Sequence, residues 1–119
     1  MIALNIDYNR HTIDKDYILV DTSQRIMLSY PRNQMVGYSL QNVFLPSEWR
    51  VFKIKIDKVF ATKIPAWATY SLKDFNFLSL LDRTGDKVVV HEVFDDPEDR
   101  DNIKKKLLVA AGNYKKLAG

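Results

Sequence analysis

Apolar residues fall on every second position in IALNID, where Ile2, Leu4 and Ile6 share one side, and this spacing predicts a half-buried strand. DYILVDT and RIMLSY are short runs of strand-forming residues separated by polar residues 21–24, which suits an antiparallel meander. Pro31, Arg32 and Asn33 then read as a turn. The pattern weakens over residues 34–44, with Gly37 as a bulge or close-approach point and Pro46 as a second break. In WRVFKIKIDKVF the alternation returns: Phe52, Ile54, Ile56 and Phe60 take one side, Lys53, Lys55 and Asp57 the other. That reading predicts a strand covering the core and showing its lysines to water. ATKIPAWATYSL holds no sustained period and contains Pro65, so it reads as a loop or edge segment carrying Trp67. FNFLSLL and KVVVHEVF flank DRTGD, whose Gly85 suits a hairpin ending. Both runs are apolar at nearly every position, which predicts central strands covered on both faces.

The period changes after FDDPED. Asp96 can cap a helix, Pro97 fits its first position, and Glu98 and Asp99 lie beside the positive end of the dipole, so a helix is expected from about residue 97 to about residue 117. Ile103, Leu107, Ala110, Tyr114 and Leu117 recur at helical spacing and form the stripe that should meet the sheet. Lys105 and Lys116 fall opposite the stripe and Lys104 and Lys115 at its edge, so the lysines read mainly as a solvated back. Leu108 and Val109 lie off the stripe, and Gly112 in mid-helix suggests fraying, a kink or close approach of another backbone.

The expected architecture is therefore α+β: an antiparallel, strongly curled sheet of about five to seven strands, approaching a barrel, with one C-terminal helix packed on it. The 119 residues, 46% of them apolar, are enough for one core, and a single domain over residues 1–119 is the economical reading. Absence of cysteine excludes disulfides, thiolate metal sites and a thiol nucleophile. The start of the chain shows no signal-peptide pattern and no run is long enough to span a membrane, so a cytoplasmic protein without membrane partners is expected. A net charge of +3, spread over both halves of the chain, does not mark a basic domain.

Catalytic, cofactor and metal signatures are missing. The acidic group around His91 and Glu92, with Asp95, Asp96, Glu98 and Asp99, matches no ligand spacing and reads as capping and solubility. His11 reads as a solvent-exposed turn residue. The leading expectation is a non-enzymatic binding or regulatory protein that docks to another protein through Trp67 and the helix flank at Leu108 and Val109. Such a compact, cysteine-free chain is similar to the small accessory or inhibitory proteins of bacteriophages. The alternative is nucleic-acid binding along the basic stretch of Arg50, Lys53, Lys55 and Lys58, of which Lys53 and Lys55 share the alternating face and which Trp49 and Trp67 bracket, extended by Lys104, Lys105, Lys115 and Lys116. An exposed sheet edge would also allow a homodimer.

Overall fold

The computed structural model describes residues 8–23, 26–27, 30–31, 35–72 and 74–118, so the strand expected over IALNID lies outside the described residues. The elements run β1 (Asn9–Ile13), β2 (Leu19–Thr22), β3 (Ile26–Met27), β4 (Tyr30–Pro31), α1 (Pro46–Thr62), β5 (Ala66–Leu72), β6 (Phe75–Thr84), β7 (Lys87–Phe94) and α2 (Arg100–Ala118). Five strands form one antiparallel sheet in the order β2-β1-β7-β6-β5, while β3 and β4 pair separately. The sheet is α+β in class as expected, yet it is open: β2 and β5 are its edges and no barrel closes. RIMLSY, read as one strand, instead contributes to both members of the small β3–β4 pair.

The largest departure from the alternation is α1. WRVFKIKIDKVF belongs to a 17-residue helix, so the elements named among the described residues include two α-helices where one was expected. Two periods coexist in this segment. Phe52, Ile54 and Ile56 alternate, but Trp49, Phe52, Ile56 and Val59 are three, four and three apart, and these four are the buried residues. Pro46, read as a break, occupies the first turn of the helix, where its missing N–H costs nothing, and Glu48 follows in the same turn. Lys63 ends the helix in the left-handed region (φ 62°), its N–H bonding Val59 O. Lys53 and Lys55 therefore point about 160° apart around a helix instead of sharing a strand face.

The hairpin of β6 and β7 forms the centre of the sheet, joined by a two-residue loop with Gly85 at φ 64°. Alternate residues of β6 serve opposite layers. Phe77 and Leu81 pack with Ile13, Val88, Val90 and the buried face of α1, whereas Leu78 packs with Val93 and with Leu107 of α2. A helix on each face explains why both strands are apolar at nearly every position. The C-terminal helix begins as foreseen: Asp96 accepts the N–H of Glu98, residues 97–99 form a short 3-10 turn, and α2 follows. Leu107, Ala110 and Ala111 are its buried residues, while Leu117, assigned to the stripe, is exposed. Nothing among the described residues lies within 4 Å of a Cβ built on Gly112, so no backbone approaches there.

Candidate functional site at the open sheet edge

The two sheet edges differ. On β2 the N–H of Leu19 donates to Tyr38 O (3.0 Å) and its carbonyl accepts from Gly37 N–H (2.7 Å), so the segment 37–40 covers that edge in part. On β5 the register decides which backbone groups face outward. The β5–β6 and β6–β7 hairpins both close on two-residue loops, at Leu72↔Phe75 and Thr84↔Lys87, and such pairs exchange hydrogen bonds. Counting back from either loop, Ala66, Ala68, Tyr70 and Leu72 turn their backbone groups to β6. Trp67, Thr69 and Ser71 turn theirs to the open side. Lys55 of α1 confirms the direction by donating to Trp67 O at 2.7 Å, a lysine placed across a strand edge. For the outward groups of Thr69 and Ser71 no backbone partner is found among the described residues.

A groove of about 450 Å³ runs along this edge between the first turns of α1 and residues 68–71 of β5. Val51, Phe52, Ala68 and Phe77 supply apolar surface to it, and Val51 is 58% exposed. Asp95 and Arg100 also line it, joined to each other by two hydrogen bonds of 2.6 and 3.2 Å. Glu48 lines the groove as well, and its Oε2 is shut off from water with no hydrogen-bond partner among the described residues.

Tyr70 connects the groove to a buried polar chain. Its hydroxyl donates to Glu92 Oε2; Glu92 Oε1 lies 3.1 Å from His11 Nε2, and His11 Nδ1 lies 2.8 Å from Thr22 Oγ1. Ser79 sits opposite both Ala68 and Glu92, and its small side chain leaves room for Tyr70 to reach across β6. The chain thus crosses β5, β7, β1 and β2 beneath α1. Burial above all, then the charge of Glu92 and the hydrogen bond to it, pushes the Tyr70 phenol well above its usual pKa. Burial also works to raise Glu92, but the hydrogen bond and charge of His11 and the bond from Tyr70 outweigh it, and the carboxyl ends below its usual value. An ionised carboxylate tied by two partners is a weak proton acceptor; what the chain does well is lock four strands together. Sequence spacing placed His11 in solvent and Glu92 among solubilising acids, whereas both are buried and meet across the β1–β7 pair.

On the other face His91 is fully buried beneath α2, with its ring 5.8 Å from those of Tyr8 and Tyr114. Neither ring nitrogen has a hydrogen-bond partner among the described residues. Burial, and then the nearby charge of Arg10, lowers its pKa to about 4.

The expected docking residues are partly brought together. Trp67 lies on β5, half-buried against Leu78 and Leu107, with Lys104 Nζ 5.1 Å from its ring centre. Leu108, exposed, follows Lys104 by one turn on the same flank of α2. Val109 is also exposed but lies about 100° further round the helix, away from that edge. The residues of the nucleic-acid alternative are dispersed. Trp49 is buried in the core, Lys53 pairs with Asp57 at 3.2 Å, Lys115 reaches Asp82 at 3.4 Å, and Lys55 and Lys104 are engaged as described. Arg50, Lys58, Lys105 and Lys116 are exposed on two helices that cover opposite faces of the sheet. No group of three or more metal-ligating side chains converges among the described residues, and no described helix is long and apolar enough to cross a membrane.

No family model matches the chain, and no curated protein matches it. Among solved structures it is similar to a domain of an HTR-like protein from Haloarcula marismortui, with a TM-score of 0.63 and 7% identity, over 75% of this chain and 98% of that one. At that identity the likeness shows the fold alone.

Proposed function

We propose that the protein is a non-enzymatic binding module that docks an extended segment of a partner protein along the open edge of β5. The observation that carries this reading is that the outward backbone groups of Thr69 and Ser71, which find no backbone partner among the described residues, lie beside a groove of about 450 Å³. Strand addition supplies main-chain hydrogen bonds, and alternate side chains of the added strand enter flanking pockets. Here one set would meet Val51 and Phe52 below α1, and the other would meet Trp67 and Leu108 on the side of α2.

The test is a selection of short random peptides on the folded protein, followed by mapping of amide shifts. Bound peptides should perturb Trp67, Thr69, Ser71 and Val51. Thr69→Pro removes an outward N–H at an edge position that tolerates proline, and it should abolish binding with unchanged circular dichroism. Peptides methylated at their backbone nitrogens should likewise fail on the unaltered protein. Binding that persists through both changes, or that maps elsewhere, would overturn the reading.

A further inference from the structure

The open edge is short. Lys55 already occupies the carbonyl of Trp67, which leaves Thr69 and Ser71 as the residues offering both backbone groups to an added strand. So few main-chain bonds, each worth about 0.5–1.5 kcal/mol net, cannot hold a segment without side-chain contacts in the groove. Four charged side chains line that groove: Glu48, Lys55, Asp95 and Arg100. Three of them are engaged within the protein, Asp95 with Arg100 and Lys55 with Trp67 O. Glu48 is the exception: no hydrogen bond or ion pair to its carboxylate is found among the described residues. A carboxylate that lines a groove without a partner is met best by a charged donor.

Resting on the docking reading above, we infer that the docked segment presents a lysine or arginine side chain to Glu48, with an apolar residue two positions away for the surface formed by Val51, Phe52 and Phe77. The two-residue spacing follows from strand alternation, since only every second side chain of an added strand faces α1. Arginine and lysine both present charged N–H donors, and either pairs with the Glu48 carboxylate.

Peptides selected on the unaltered protein should carry a basic residue at one fixed position, with an apolar residue two places before or after it. Glu48→Gln should weaken the affinity of those peptides about tenfold or more, the scale of a lost charge-assisted hydrogen bond. The same peptides with norleucine in place of the basic residue should bind both proteins equally. Peptides that bind at β5 without basic enrichment, or that ignore Glu48→Gln, would overturn this inference and leave edge docking standing. Failure to bind at β5 at all, read from Thr69→Pro and the methylated peptides, would overturn both.

Discussion

His91 is held between Tyr8 and Tyr114 with neither ring nitrogen bonded among the described residues, and Arg10 is the nearby charge. Protonating it in place would bury a cation beside another cation. Its pKa is therefore near 4 in the folded protein against an ordinary value of 6.5. As pH falls below 6.5 the unfolded chain takes up the proton first, so folding stability declines until pH approaches about 4 and is unaffected by this group above 6.5. The full window corresponds to about 3 kcal/mol. Glu92 runs in a lower range: its pKa is depressed, so its contribution is complete above 4.5 and is lost only below that value. Urea unfolding from about pH 7 to about pH 5 consequently reads His91 without Glu92. His91→Leu should remove most of the slope seen in the unaltered protein; equal slopes in the two would show that another group carries it.

At the scale of elements, α1 is where alternation and helical spacing compete, and two isoleucines separate them. On a strand Ile54 and Ile56 would share a face. In the helix Ile56 is fully buried and Ile54 is 64% exposed. Ile56→Ala should cost about 2–5 kcal/mol, and Ile54→Ala should stay within about 0.5 kcal/mol, both measured by urea unfolding. Similar losses at both positions would contradict the helix. The cues that settle the segment were local: Pro46 followed by Glu48, buried positions three and four apart, and Pro65 beyond the end. The β6–β7 hairpin was legible because its apolar runs exceed what a one-sided strand needs, and α2 because capping, dipole and stripe agree. β5 was obscured by Ala66 and Ala68, whose small side chains mark the inner face weakly. Of the residues in the proposed site, the sequence reading names only Trp67 and Leu108 as docking residues. The groove is made by α1 and β5 meeting, and Glu48 and Val51 carry no signal until the helix is recognised.

At the scale of the whole molecule, the sheet is protected unevenly, and hydrogen exchange reads this without any partner. β6 and β7 have a neighbour on each side and a helix layer above and below, so their amides should exchange slowest, near the limit set by global unfolding. Leu19 lies on an edge strand, yet its N–H bonds Tyr38 O and should be protected beyond the usual expectation for an edge. Along β5 protection should alternate. The amides of Ala68 and Tyr70 face β6 and should exchange slowly, while those of Thr69 and Ser71 face outward and should exchange much faster. That contrast within consecutive residues of one strand cannot come from fraying, which would loosen neighbours together. Uniform protection from Ala68 to Ser71 would mean that the edge is covered in solution, by a second copy of the chain or by another segment of the same one. Dilution would tell these apart, because only a dimer loses its protection as the protein concentration falls.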